Sequence, residues 1–368
     1  MYRRQGLGKI FEILMKTIEE NNLFLENKRL NREEIKERRS ILFSKLTSLI
    51  CALTSRCNIH CIMCDTWRTP WEIPQRTYEE IRSLLPYLEH VIWLGGEVFL
   101  SKYFEELIEE TKEYPYLAQR INTNGLLITE EWAEKLLQNN VELIYSIDGV
   151  TKQTYEYIRR GARFEDLIKS LEIIKRMRIK YKEFHLRMNV VIMRSNYQEI
   201  EAFIDFAKEY GLDLVQLMPI VGEDTPEHIF SSKYKDANIL RYLDSIAENL
   251  QEKAHKYNIE LLNSLPALGA LPQKKIESHS NRDGLFCYLP WQQILIYPDG
   301  NVRFGCFCSD SIGNVLENSI EEIWNSEKAQ TYRKKISSND YQDLCGQRCV
   351  DGRISIKLRK VGELDLYL

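Results

Sequence analysis
Cys57, Cys61 and Cys64 are separated by three and by two residues and follow directly on the apolar, β-prone run 49–54. Three thiolates set this close select an iron–sulfur cluster or zinc, since both are served by soft ligands. A four-iron cubane needs four ligands. With no fourth cysteine nearby, one iron is left for a ligand that is not protein. Zinc is the competing occupant, but it usually closes tetrahedrally on four ligands arriving as two close pairs. The one nearby imidazole, His60, lies inside the loop itself. The trio therefore asks for a strand that ends in a cluster-binding loop with one coordination site open.

The 368 residues suffice for one large α/β barrel with an appendage, or for two domains of ordinary size. With 44% hydrophobic and 28% charged residues, a sizeable core is available and disorder is not the default. A net charge of −4 gives no overall attraction to nucleic acid or to anionic lipid, so neither is expected as a partner. Lys9, Glu12 and Lys16 interrupt the apolar positions of the first twenty residues, and no later run approaches a membrane span. The nine cysteines are odd in number and grouped at metal-like spacings, which suits a reducing compartment; a cytoplasmic protein is expected.

Leu7, Ile10, Phe11, Leu14, Met15 and Ile18 recur at helical spacing, which predicts an amphipathic helix ending near Asn21-Asn22. A second helix is predicted to begin at Asn31, an N-cap with Glu34 three residues on. Its charged face, through Glu33, Glu34, Lys36, Glu37, Arg38 and Arg39, reads as solvated surface. From residue 48 onward, strands predicted at 49–54, 91–94, 120–123, 143–147, 185–193 and 214–220 alternate with helical patterns at 77–88, 104–113, 130–138, 164–177 and 198–210. Repeated strand–helix units demand a parallel sheet with right-handed crossovers. A charged loop over 221–238 is followed by a helix at 239–257 and a polar linker at 273–284. A hairpin is then predicted from 292–297 and 302–305 around the turn Pro298-Asp299-Gly300-Asn301. The division that follows is a helical extension at 1–46, a barrel at 47–222, a helical and linker segment at 223–284, and a small α+β extension at 285–368.

Polar groups beside glycines close successive strands. After the second strand, Gly95 and Gly96 let the backbone approach a ligand, and Glu97 can accept hydrogen bonds from an ammonium group. Thr123-Asn124-Gly125 ends the third strand and Ser146-Ile147-Asp148-Gly149 the fourth. Arg159 or Arg160, in Ile-Arg-Arg-Gly, offers a guanidinium for a carboxylate, with a plain helix-terminal cation as the alternative. Asn189 is a polar residue in an apolar strand and needs a partner if buried.

In this order, the cysteine trio and these strand-end motifs resemble the radical SAM superfamily. The resemblance implies a partial (β/α)6 TIM-like barrel with its chemistry at the carboxyl ends of the strands. It also implies a [4Fe-4S] cluster on Cys57, Cys61 and Cys64, with S-adenosylmethionine on the open iron. Gly95, Gly96 and Glu97 match a family motif that binds the amino group of the cofactor, although Val98 replaces the usual proline. By the same resemblance Ser146 contacts the cofactor's carboxylate or ribose, and Asn124 and Asp148 shape the pocket; of the two arginines Arg160 is taken for the guanidinium, and the cofactor ribose is one candidate partner for Asn189. Met63 holds a place often aromatic in the family, where it packs on adenine.

Cys287, Cys306, Cys308, Cys345 and Cys349 lie beyond the barrel, beside the sequences Pro298-Asp299-Gly300-Asn301-Val302, Ile312-Gly313-Asn314-Val315 and Ile323-Trp324-Asn325-Ser326. This region resembles the SPASM or shortened twitch extension of the same enzymes. The resemblance implies an auxiliary [4Fe-4S] cluster on Cys287, Cys306, Cys345 and Cys349. Cys308 is then a spare thiol able to donate hydrogen to a substrate radical, exchanges roles with Cys306, or is simply a small core residue. Cys51 reads as core, and zinc at the C-terminal four remains an alternative.

The expectation is an enzyme that cleaves S-adenosylmethionine to a 5′-deoxyadenosyl radical and takes hydrogen from an unactivated carbon. The favoured substrate is a ribosomally made peptide, undergoing oxidation, cross-linking or epimerisation, with an electron donor such as flavodoxin or ferredoxin as partner. Dehydrogenation of a sugar or aminocyclitol alcohol is the alternative within the family; a zinc-stabilised interaction protein is the alternative outside it. The tail 353–368 and the acidic loop with Glu223 and Asp224 are expected to touch substrate.

Overall fold
The computed structural model describes residues 22–139, 141–181, 184–221, 225–268, 285–305, 308–338, 340, 343–344 and 358–360. Residues 1–21 of the first predicted helix, residues 273–284 of the linker, Glu223, Asp224 and nearly all of the tail lie outside the described residues.

Alternating burial builds the central sheet. In the strand His185–Ile192, Leu186, Met188, Val190 and Ile192 are buried, while Arg187, Asn189 and Val191 are only partly so. The first set packs under the helices: Met188 is level with Tyr145, whose hydroxyl meets Ser170 Oγ at 2.7 Å on the helix Phe164–Arg178. Because side chains alternate across a strand, the second set points to the inner face.

The ten strands run in the order Gly313–Asn314, Asn301–Arg303, Gln293–Ile296, Ser48–Thr54, His90–Gly95, Ala118–Thr123, Val141–Ser146, His185–Ile192, Leu214–Pro219, Glu260–Asn263. From Gln293–Ile296 to Glu260–Asn263 every pairing is parallel. All six strands expected from the sequence are there. Two further parallel strands join them. Glu260–Asn263 adds beyond Leu214–Pro219, and Gln293–Ile296, expected only as half of a separate hairpin, lies parallel to Ser48–Cys51. All four residues of Gln293–Ile296 are buried, which a strand achieves only when both its faces are covered. The hairpin itself forms as expected, with Leu295 opposite Arg303 and Gly300 at φ +80° in the turn.

The helix expected at 239–257 is two, Ala237–Ser245 and Ala247–Lys256, parted at Ile246; Asp236 caps the first by accepting from the amides of Asn238 and Ile239. Near the N-terminus a helix covers 22–36, so Asn31 lies inside it and caps nothing. Its amide group instead donates to Ser44 Oγ at 3.0 Å and to the Trp291 carbonyl at 2.5 Å. Glu34 is not on a solvated face either: it is fully buried and accepts from Phe43 N, Ser44 N and Ser44 Oγ.

The extension before the barrel is clasped to the helices after it. Trp324 Nε1 donates to the Ser44 carbonyl at 3.0 Å, and the Asn325 side chain bonds both the amide and the carbonyl of Leu42 at 3.0 and 2.8 Å. At the centre of the clasp the fully buried Arg333 donates to the carbonyls of Pro290, Ser40 and Trp324 and stacks on the Trp324 ring at 4.6 Å.

Candidate active site
The first strand ends at Thr54, and the chain then folds back on itself. Thr54 Oγ1 donates to the Trp71 carbonyl at 2.9 Å and Ser55 Oγ to the Thr69 carbonyl at 2.6 Å, closing the loop that carries Cys57, Cys61 and Cys64. All three thiols are partly exposed. The His60 ring packs against Trp67 at 4.3 Å. Among the described residues no three His, Cys, Asp or Glu side chains converge as ligands of one metal ion.

Two nitrogen donors reach the sulfurs. Asn124 Nδ2 lies 3.8 Å from Cys57 Sγ and Arg159 Nη1 lies 3.8 Å from Cys61 Sγ. Burial pushes the Cys57 thiol up, and it pushes Cys61 up to about 11, with Arg159 pulling the other way. A bound metal centre is what makes such thiols thiolates. Soft donors at the mouth of a parallel sheet, with N–H groups aimed at the sulfurs, suit an iron–sulfur cluster, whose potential such hydrogen bonds tune.

Gly95 and Gly96 serve this loop directly. Gly95 has φ +146°, and a Cβ there would stand 2.1 Å from the Thr54 carbonyl oxygen; at Gly96 it would stand 2.3 Å from that of Arg56. The absent side chains let Gly96 N donate to Thr54 O at 2.7 Å and Glu97 N to Arg56 O at 2.8 Å. Their close approach is thus to the root of the cysteine loop.

The Glu97 carboxylate does not face the site as expected. It is fully buried, with Oε1 accepting from Thr123 Oγ1 and Oε2 from Asn124 N, both at 2.8 Å. Burial pushes it up to about 7, against the pull of those donors. It ties the second strand end to the third and thereby holds Asn124, whose Nδ2 also donates to Asn58 Oδ1 at 2.8 Å.

Asp148 is likewise buried: Oδ1 accepts from Val191 N at 2.8 Å and Oδ2 pairs with Arg159 Nη2 at 2.6 Å. Of the two arginines that could supply a guanidinium, the one named for it, Arg160, is not the one that turns inward. Arg160 is exposed, while Arg159 is buried against Asp148 and Cys61. The helix Lys152–Ile158, unforeseen in the sequence, delivers Arg159–Arg160 to an antiparallel bridge with His60–Cys61. Two adjacent arginines look alike in sequence, and only the bridge decides which turns inward.

Ser146, at the carboxyl end of Val141–Ser146, stands opposite Asn189 in the middle of His185–Ile192, and both are partly exposed. Asn189 Oδ1 accepts from Arg187 Nε at 2.9 Å, a partner the sequence reading missed. Met63 and Ile62 pack on the small cluster of Ile158, Met193 and Ile220. Cys51 is buried core, as expected. In the extension, Cys287 ends the strand Leu285–Cys287, and Cys308 N donates to the Gly305 carbonyl at 3.1 Å. Cys306, Cys345 and Cys349 lie outside the described residues. Among the described residues no helix is long and apolar enough to cross a membrane.

A model of the radical SAM superfamily matches residues 52–207, and a model of the SPASM iron–sulfur cluster-binding domain matches residues 287–350. The tungsten-containing aldehyde ferredoxin oxidoreductase cofactor-modifying protein of Pyrococcus furiosus is 23% identical over 322 residues, covering 80% of this chain and 84% of that protein. The mycofactocin maturase MftC of Mycobacterium tuberculosis is 27% identical over 168 residues, covering 44% of this chain and 42% of MftC, so the match spans less than half of that protein. Streptococcus suis SuiB bound to S-adenosylmethionine shares the fold with TM-score 0.61 at 18% identity, over 84% of this chain and 72% of SuiB. SuiB bound to its precursor peptide SuiA gives 0.59 at 17%, over 83% and 70%.

Proposed function
We propose, from the premise that this chain is a radical SAM enzyme with a C-terminal SPASM domain, that it abstracts a hydrogen atom from an unactivated carbon of a peptide. When bound, a [4Fe-4S] cluster on the three thiolates with S-adenosylmethionine at its open iron supplies a 5′-deoxyadenosyl radical.

The observation that carries this reading is the pair of N–H groups at the cysteine loop, from Asn124 to Cys57 and from Arg159 to Cys61. Both donors are held from behind by buried carboxylates, Glu97 through the backbone N–H of Asn124 and Asp148 through the Arg159 guanidinium. The chain thus spends two buried acids on orienting donors toward sulfur, which a purely structural loop does not need. Ser146 and Asn189 offer partly exposed polar groups on the inner face and are assigned to the cofactor, with the backbone of Gly95–Glu97 in place of the Glu97 carboxylate for its ammonium group.

Cys287, Cys306, Cys345 and Cys349 are assigned to one auxiliary cluster, and Cys308 to the role of spare thiol. The peptide substrate is supported by the fold shared with SuiB, by the maturase MftC among the sequence relatives, and by a polar inner face of the sheet. A flavodoxin- or ferredoxin-type donor in the cytoplasm supplies the electron.

The test uses the full chain reconstituted anaerobically with iron and sulfide, reduced with dithionite and given S-adenosylmethionine. Wild type is expected to form 5′-deoxyadenosine, and the Cys57→Ala, Cys61→Ala, Cys64→Ala variant to form none while keeping the iron of the extension. No product from fully loaded wild type would overturn the reading. Deuterium passing into 5′-deoxyadenosine only from non-peptide substrates would overturn its peptide half.

A further inference from the structure
The inner face of the sheet holds a cation that its neighbours do not pair. Arg187 lies on that face of the strand His185–Ile192, level with Ile144 on one side and Leu214 on the other. Its Nε donates to Asn189 Oδ1 at 2.9 Å, which leans the guanidinium along the strand toward Asn189 and its neighbour Ser146. The two terminal nitrogens have no hydrogen-bond or ion-pair partner among the described residues. Two acids of the sheet attract Arg187 without pairing with it: Glu142, which Arg120 engages at 2.5 Å, and Glu260, level with Leu214 on the far side. Arginine keeps its charge under all ordinary conditions, so a half-buried guanidinium with its fork empty is a site for a planar anion.

A second observation lies in the same row. Asn122 is level with Ile144, and Ile144 with Arg187, so Asn122 and Arg187 face the same space two strands apart. Asn122 Oδ1 is buried with no donor. A buried carbonyl without a donor is costly, and a ligand bearing an N–H would relieve it. Two strands amount to roughly 10 Å, which about three residues of extended peptide span.

We propose that Arg187 anchors a carboxylate on the substrate, and that the substrate is an acidic peptide whose backbone N–H meets Asn122 across the inner face. The assignment rests on the peptide reading above and narrows it: the fork of Arg187 takes both oxygens of a glutamate, an aspartate or a chain-terminal carboxylate.

The probes are acetyl-Ala-Glu-Ala-amide, acetyl-Ala-Gln-Ala-amide, acetyl-Ala-Ala-Ala with a free carboxylate, and glutarate. Each is titrated by calorimetry into the anaerobic, iron-loaded full chain with S-adenosylmethionine present. Wild type is expected to bind the Glu probe on the order of tenfold more tightly than the Gln probe. Arg187→Gln should erase that preference, and Arg187→Lys, which keeps charge but not the fork, should keep part of it. The free-carboxylate probe shows whether a chain end serves as well as a side chain. Each variant is first matched to wild type in iron content and circular dichroism; the Arg187→Lys comparison decides if Arg187→Gln fails that match. Equal binding of the Glu and Gln probes by wild type, or a Glu preference that survives Arg187→Gln, overturns the Arg187 assignment while leaving the peptide reading in place. Arg187-dependent binding of glutarate without binding of any peptide keeps the carboxylate site and overturns the peptide reading. No binding of any probe overturns the proposal.

Discussion

Arg159 grips Asp148 with one terminal nitrogen at 2.6 Å and points the other at Cys61 Sγ, 3.8 Å away. Both side chains are almost wholly buried, so the ion pair is desolvated, with the partly exposed Cys61 thiol beside it. Removing one member of such a pair strands the other charge.

Asp148→Asn keeps the shape of the side chain but leaves Arg159 unpaired. The expected loss is about 3–5 kcal/mol in urea unfolding of the loaded chain, together with less iron retained at the cysteine loop. Unaltered stability would mean that Arg159 is neutralised elsewhere.

Glu97 links stability to pH. Burial lifts its carboxyl from the ordinary 4.5 to about 7, so the folded chain holds this proton more tightly than the unfolded chain does. The resulting stabilisation is whole below pH 4.5 and is lost as pH rises through 7. Glu97→Gln removes the titration and sets an amide against the Thr123 and Asn124 donors, at a cost of about 1–3 kcal/mol. Urea midpoints at about pH 5 and about pH 8 should therefore show the advantage of wild type over the variant shrinking with rising pH. A growing advantage would refute the sign.

Gly95→Ala places a Cβ 2.1 Å from the Thr54 carbonyl at φ +146°, so the root of the cysteine loop must move. Gly161→Ala, at φ +88° with its nearest atom at 3.8 Å, bears backbone strain alone. The second variant should lose about 1–3 kcal/mol, whereas the first should lose more and also bind less iron. Thermal melting and iron per chain separate the two.

Arg333→Ala takes the donor from three carbonyls and from Asn325 Oδ1 at once. The clasp between the N-terminal extension and the last helices should weaken by roughly 3 kcal/mol or more, seen as faster proteolysis within residues 38–46 than in wild type. Unchanged cleavage would show that Trp324 and Asn325 hold the clasp unaided.

Much of the barrel was legible because period-two and period-3.6 patterns are local. The strand 185–193 and the helix 164–177 lie within a residue of His185–Ile192 and Phe164–Arg178. The cysteine trio and the glycine-flanked polar residues were legible for the same reason, since loop chemistry is written in consecutive residues. Asn31 was not. As a helix N-cap it fits every local rule, yet its amide is satisfied 260 residues away at Trp291, and with that partner it sits inside a helix. Gln293–Ile296 reads as one arm of a hairpin, and nothing within it says that Ser48–Cys51 will be its other neighbour.

By itself the sequence determined the six strands from Ser48–Thr54 to Leu214–Pro219 in their order and the kind of ligand at the mouth of the sheet, because both follow from spacing along the chain. Tertiary structure decided which of Arg159 and Arg160 turns inward, that Glu97 braces Asn124 instead of facing the cofactor space, and that the fork of Arg187 stays open. Each of these is the pairing of a desolvated polar group. That pairing depends on which distant segment arrives beside the group, and neither propensity nor periodicity records the arrival.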